Sequence, residues 1–356
     1  METTTVKDEN STANFTLFGN VTLQPLVIID IPILYVVNTF ATVLVNPIIA
    51  LFGITGNILS IIVLVKSGFS KPSNVLLSAL CVADTFVLIA ALNIPRFTAF
   101  LPGKKPNHIA LWEYSETECF ILYVLTIIIH GFYIYGVKLS ATIVTLITLE
   151  RFIAVFFPLK FVSIVTTKRA WLSVILAYVI WLPWPLYNFA LYQFSFQYFK
   201  YWDLYAGSIL IYYDDLFVMT NLNVVIPLGL YMPFILVTLG SLLIATKVKV
   251  TLEKRQALVS AAAAKSAAKS SKTTRTLLTV CLVFSITKFA SILEYFMDFV
   301  HQNGDYIANR DRALALTLII FFLDNVCSAS NFFIYVALNK KFRNSLRESI
   351  CLLERK

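Results

Sequence analysis

The chain reads as an all-α membrane protein, a seven-transmembrane helix bundle followed by a short amphipathic eighth helix. Three observations lead there. Hydrophobic residues fill 58% of the 356 positions and charged residues only 14%, where a soluble domain carries about 25% charged. The apolar residues gather into seven blocks, and the basic residues gather in alternate loops. A mean hydropathy of +0.77 exceeds what one buried core explains, because a soluble surface needs more polar groups. The surplus must face lipid.

A spanning helix needs roughly 20 mostly apolar residues, because the hydrocarbon core is about 30 Å thick. Seven blocks meet this: about 34–65, 74–100, 119–157, 170–190, 218–248, 275–300 and 313–338. Backbone polar groups in lipid must be satisfied internally, so each block is expected to be a helix. The chain divides into a tail at 1–33, a seven-helix membrane domain at 34–338 and a final segment at 339–356.

The tail is polar. Residues 1–25 hold no short apolar run with a small-residue cleavage site, so no secretory signal is expected. The first apolar stretch begins near Pro25. Asn10, Asn14 and Asn20 each open an Asn-x-Thr or Asn-x-Ser/Thr acceptor triplet for glycosylation. Loops after the odd-numbered blocks carry Lys66 and Lys71, then Arg151, Lys160, Lys168 and Arg169, then the run from Lys247 to Arg275. The C-terminal segment adds Lys340, Lys341, Arg343, Arg347, Arg355 and Lys356. Cations on the other side are interleaved with acids. The positive-inside rule therefore places the C-terminus in the cytoplasm and the N-terminus outside. The net charge of +9 suits an anionic leaflet, and no nucleic acid is needed as a partner.

The loop after the fifth block is Ala-rich (VSAAAAKSAAKSSKTT), which favours helix, so blocks five and six are expected to extend past the bilayer. Between Tyr192 and Asp215 aromatic and polar residues alternate, which predicts an extracellular hairpin. After the seventh block Phe342, Leu346, Ile350 and Leu353 share one helical face, so an amphipathic helix is expected on the inner membrane surface. Cys351 near its end is either a palmitoylation site or a buried thiol.

Specific residues sit at the right places on these blocks. The first holds Gly56-Asn57 and the second Leu80…Ala83-Asp84. The third ends in Leu149-Glu150-Arg151-Phe152, with Ala154-Val155 and Pro158-Leu159 following. The seventh ends in Asn331…Tyr335, with Phe342 seven residues on. In this order, across about residues 50–351, the set resembles the rhodopsin-like (class A) G-protein-coupled receptors. The stretches ERFIAVFFPL and SASNFFIY are similar to invertebrate FMRFamide-receptor-like peptide receptors and related mollusc-type chemosensory receptors. The resemblance implies a plasma-membrane receptor that binds an extracellular ligand, a neuropeptide or alternatively a small odorant, and activates a heterotrimeric G protein.

The resemblance also assigns roles. Glu150, Arg151, Asn331 and Tyr335 become the coupling and switch residues. Asn57, Asp84, Ser140, Ser328 and Asn331 become a polar core around a mid-membrane carboxylate. Such a carboxylate costs roughly 2.5–3.5 kcal/mol on insertion scales and needs partners. Two readings of Asp84 stand: a water and sodium-ion pocket, or a protonated acid held by amides for structure. No other cofactor is expected, and His108, His130 and His301 show no metal-ligand spacing.

Three departures from the family pattern matter. The cysteine that joins the third helix to the following extracellular loop would fall at Thr126, Cys119 lies seven residues earlier, and 159–230 hold no cysteine; that disulfide is expected to be absent. The sixth block has Thr287-Lys288-Phe289-Ala290 where the family keeps Cys-Trp-x-Pro, so this helix should be straighter. Lys288 is then a cation inside the bundle and Asp324 its expected partner, either as a lock worked by ligand or as a static pair. Phe332 likewise replaces the seventh helix's Pro, which puts its kink in doubt. Tyr133 stands where amine receptors keep an Asp, and Asn325 where opsins keep their Lys, so neither ligand type is expected.

The ligand cavity is expected between the outer helix halves, lined by His130, Tyr133, Val137, Lys288, Ser291, Glu294, Tyr295, Asp298, Phe321 and Asp324, with Trp112 and the hairpin as a lid. Acids at Glu294, Asp298, Asp305, Asp214 and Asp215 suggest a cationic peptide, or else are solvated loop charges. Lys138, also inside the third block, faces the fifth helix or snorkels. Two other classes compete: a seven-helix transporter, suited by the internal charges but lacking repeats or broken half-helices, and a non-signalling decoy. No nucleophile or phosphate motif supports an enzyme.

Overall fold

The computed structural model describes residues 32–94, 114–199, 204–211, 215–258, 276–293 and 306–354. Seven helices among them are long and apolar enough to cross a membrane: α1 Val36–Lys66, α2 Pro72–Ala91, α3 Glu116–Phe156, α4 Thr167–Leu191, α5 Asp215–Thr251, α6 Thr276–Leu293 and α7 Ala315–Leu338. An eighth, α8 Lys340–Glu354, follows at once. The seven expected blocks are all present. The glycosylation triplets, Trp112, Glu294, Tyr295 and Asp298 lie outside the described residues, as does most of the Ala-rich loop.

The ends are set by local chemistry. α3 starts earlier than its apolar run because Ser115 and Glu118 form a reciprocal capping box: Ser115 Oγ accepts from the Glu118 N–H at 3.3 Å and the Ser115 N–H donates to Glu118 Oε2 at 3.0 Å. Thr166 caps α4 by accepting from the Arg169 N–H. Within the described residues, the block expected at 74–100 is interrupted after Ala91. α2 closes at Ala91, and Asn93 takes a positive φ of 48°, a conformation Asn tolerates. Pro95 stands two residues further on in the sequence. α1 opens into a π turn over Ala41–Val45 just before Pro47, and α5 does so over Asn221–Val225 and Pro227–Tyr231. A proline has no N–H to give the carbonyl one turn back, and a π turn is one way to absorb that loss.

α6 carries no such break across its described length, as its missing Pro predicts. α7 is likewise continuous α-helix through Phe332. The ring that replaces Pro finds its space on α1, because a Cβ on Gly56 would fall 2.8 Å from the Phe332 ring. Glycine at 56 and phenylalanine at 332 thus fit each other.

α3 is the hub, packing on α2, α4 and α5, while α7 packs on α1 and α2. The core is mostly aliphatic: Leu80, Ala83, Leu139, Ile143, Ile147 and Val237 belong with Phe284 to one buried cluster, each 1% exposed or less. Ile175, Val179 and Ile180 of α4 and Leu282 and Ile286 of α6 point outward and exposed, as a lipid-facing surface requires.

The expected hairpin is present. β1 Tyr192–Phe199 pairs antiparallel with β2 Leu204–Ile211, from Tyr192 opposite Ile211 to Phe199 opposite Leu204. It lies on the start of α3, where Phe194 packs on Phe120 and Tyr123 with ring centroids 5.5 Å apart in each case. Cys119 is a buried thiol that packs against Gly207 of β2 and donates to the Tyr114 carbonyl at 3.6 Å. Thr126, at the family's cysteine position, donates to the Leu122 carbonyl within its own helix. Aromatic packing and the bond from Tyr123 Oη to the Tyr192 carbonyl at 2.9 Å hold the hairpin here.

Candidate functional site

Polar side chains are rare inside an apolar bundle because each must find a partner there. In this chain they form three layers along the bundle, from the hairpin end to the Arg151 end.

The first layer joins α3, α6 and α7. Lys288 Nζ lies 2.6 Å from Asp324 Oδ1, with the two side chains 6% and 4% exposed. Tyr133 Oη donates to the other carboxylate oxygen at 3.0 Å, and Phe321 packs on the Tyr133 ring at 5.2 Å. The pair expected from the sequence is therefore formed, and Tyr133 is a third member. Asp324 gains one charged and one neutral donor, which is what a desolvated carboxylate requires. Ser291 is buried and Val137 half-buried nearby in sequence. His130 is exposed and stacks edge-on against Tyr192 of the hairpin at 5.8 Å. Asn325 is fully buried with neither side-chain polar atom paired. Lys138 faces the fifth helix: a Cβ on Gly229 would fall 2.5 Å from its Cδ and 3.1 Å from its Nζ. Glycine leaves room for that stem.

The second layer centres on Asp84, 1% exposed. Ser140 Oγ donates to its Oδ1 at 2.8 Å, and Asn331 Nδ2 donates to its Oδ2 at 2.6 Å. α2, α3 and α7 are thus tied at one carboxylate. Asn57 does not reach it. Its amide donates at 3.4 Å to the Ser328 backbone carbonyl, so its placement in the Asp84 shell is corrected to a link between α1 and α7. The sodium ion that the family resemblance implies would meet oxygen ligands here: each Asp84 oxygen accepts one donor and keeps a second acceptor site.

The third layer is at the far end. Ser73 Oγ donates to Glu150 Oε1 at 2.6 Å and accepts from Arg151 Nη2 at 2.6 Å. Direct contact between Arg151 and Glu150 is longer, 3.5 Å. The guanidinium does fold toward the acid, but a hydroxyl from α2 mediates the closure. Ser73 was missed because it belongs to no motif. Its signal was the Lys71-Pro72-Ser73 helix start, which places a hydroxyl in the first turn of α2. A small cavity beside Arg151 is lined by Thr148, Ile244, Leu277, Leu278 and Cys281 from α3, α5 and α6.

Tyr335 is buried beneath this layer with its hydroxyl unpaired and its ring 5.8 Å from Phe342 of α8. α8 is docked by Arg343, whose Nη1 donates to the Val336 and Ala337 carbonyls at 2.8 and 2.7 Å. These are unsatisfied carbonyls of the α7 terminus.

Comparison with known proteins agrees with this layout. The family model described as 7 transmembrane receptor (rhodopsin family) matches residues 56–335. The chain is 31% identical over 171 residues to the thyrotropin-releasing hormone receptor of Homo sapiens, covering 48% of this chain and 36% of that one. It is 32% identical over 130 residues to the Mus musculus receptor of the same name, covering 36% and 29%. The Bos taurus receptor is 32% identical over 149 residues, covering 42% and 32%. The matched segment thus spans about a third of these relatives' length.

Proposed function

The chain belongs to the rhodopsin family of seven-transmembrane receptors, and from that premise we propose that it binds an extracellular peptide at the hairpin end and activates a heterotrimeric G protein at the Arg151 end. It is a multi-pass membrane protein, which we place in the plasma membrane with Asn10, Asn14 and Asn20 outside and α8 in the cytoplasm. The basic residues of the alternate loops support that orientation.

One observation carries the coupling reading. Arg151 is held closed by Ser73 and Glu150 next to a small cavity between α3, α5 and α6. A guanidinium in a bistable hydrogen-bonded arrangement can be released when those helices part, and that release would present it to a partner. The similarity to hormone receptors supports a peptide as ligand. The resemblance to FMRFamide-receptor-like proteins supports a short amidated one. Tyr133, Phe321, Lys288 and Asp324 form the floor on which it would act.

Cells expressing the chain, challenged with amidated peptides and small waterborne odorants and read by calcium and cyclic AMP, test this. A response to a peptide that disappears in Arg151→Ala is expected. A response confined to the odorants would replace the ligand class, and responses unchanged in Arg151→Ala would refute the coupling role.

A further inference from the structure

We propose that Lys138 binds a carboxylate brought by the ligand. The inference rests on the receptor reading above and names one chemical group that the ligand must carry. A charge inside a membrane is costly and normally has a partner. Lys288 has Asp324 at 2.6 Å. Among the described residues Lys138 makes no ion pair, and its ammonium donates to no acceptor.

Helix geometry shows why the internal acids do not serve it. Successive helical residues turn by about 100°. Tyr133, which bonds Asp324 of α7, comes five residues before Lys138 and so points about 140° away from it around α3. Ser140, which bonds Asp84 of α2, comes two residues after it and points about 160° away. Lys138 faces α5 instead, where a Cβ on Gly229 would fall 2.5 Å from its Cδ and 3.1 Å from its Nζ. Glu150 of α3 and Asp215 of α5 lie roughly 18 and 21 Å further along those helices.

The surroundings are shaped for this side chain. Gly229 is buried within the π turn Pro227–Tyr231, and the Lys138 stem fills the space a larger residue would take. On α3, Tyr133, Ile134, Val137 and Lys138 are partly exposed, whereas Leu139, Ser140 and Ala141 are buried. Lys138 therefore stands at the inner end of an open stretch that begins at His130, beside the hairpin. An ammonium in a medium of low effective dielectric favours an anion whose oxygens also accept its hydrogen bonds. A carboxylate matches its single charge. A phosphate group, at about −1.5 to −2, would leave net charge in the bundle.

The carboxylate can come from a free peptide C-terminus, an acidic side chain or a small organic acid. Three probes separate these sources, each set against its neutral amide: N-acetylphenylalanine, the α-amide of N-acetylaspartate, and hexanoate. The test is thermal melting of the purified full-length receptor with each probe at equal ionic strength. At least one carboxylate is expected to raise the melting temperature by about 2 °C or more over its amide. Lys138→Met is expected to lose that rise and Lys138→Arg to keep it. Should Lys138→Met fail to fold, Lys138→Gln, which keeps a donor without the charge, is read in its place and is expected to lose the rise as well. Wild-type receptor that no carboxylate stabilises beyond its amide would overturn the inference, and so would a rise that persists in the uncharged variant. A rise with hexanoate alone would uphold Lys138 and replace the peptide as the ligand class. The coupling reading stands or falls separately, because the melt involves no G protein.

Discussion

Replacing Asp324 by Ala is expected to cost about 3–5 kcal/mol of stability, the typical result of leaving one member of a buried ion pair without its partner. The geometry concentrates the effect. Lys288 and Asp324 are 6% and 4% exposed and 2.6 Å apart, so water cannot screen the ammonium that remains. Tyr133 loses its acceptor in the same change. Lys288→Met should be milder, because the carboxylate keeps the Tyr133 hydroxyl. The double change to apolar residues, Lys288→Met with Asp324→Leu, should recover most of the stability, since well-packed apolar residues commonly replace a buried pair without loss. Thermal melting of the three variants reads this. Charge reversal separates a static pair from a working one. If Lys288→Asp with Asp324→Lys signals no better than either single reversal, the pair acts through more than attraction, and the lock reading fails.

Ser73→Ala is the second large effect, and its direction is opposite. The substitution removes the hydroxyl that bridges Glu150 and Arg151 at 2.6 Å on each side. Hydrogen bonds to charged groups contribute about 1.5–3 kcal/mol each. The direct contact at 3.5 Å compensates for only part of that. Losing even one such bond from the closed state shifts the equilibrium toward the open one by roughly tenfold or more. Basal guanine-nucleotide exchange should therefore rise, while Ser73→Thr, which keeps the hydroxyl, should remain near wild type. Lower basal exchange in Ser73→Ala would show that Ser73 helps the open state instead.

Much of this was legible in the sequence because lipid imposes simple constraints. The seven helices, the hairpin and α8 follow from apolar length and periodicity. The Lys288–Asp324 pair follows from the rule that charges inside a membrane find each other. Helix ends were less legible. The early start of α3 depends on a cap, Ser115 with Glu118, and the end of α2 on Asn93. Hydropathy does not register either signal. Asn57 was placed in the Asp84 shell by motif, yet its amide donates to the Ser328 carbonyl instead. Ser73 and the fit between Gly56 and Phe332 depend on which helices become neighbours, and no local pattern carries that.

The most direct test of the account is guanine-nucleotide exchange on a purified heterotrimeric G protein, with the receptor and its Arg151→Ala variant reconstituted in vesicles of the same lipid. The account requires the wild-type chain to accelerate exchange over empty vesicles, and the variant to lose that acceleration at equal receptor content. Solute flux through the wild-type vesicles with exchange no faster than in empty ones would contradict it.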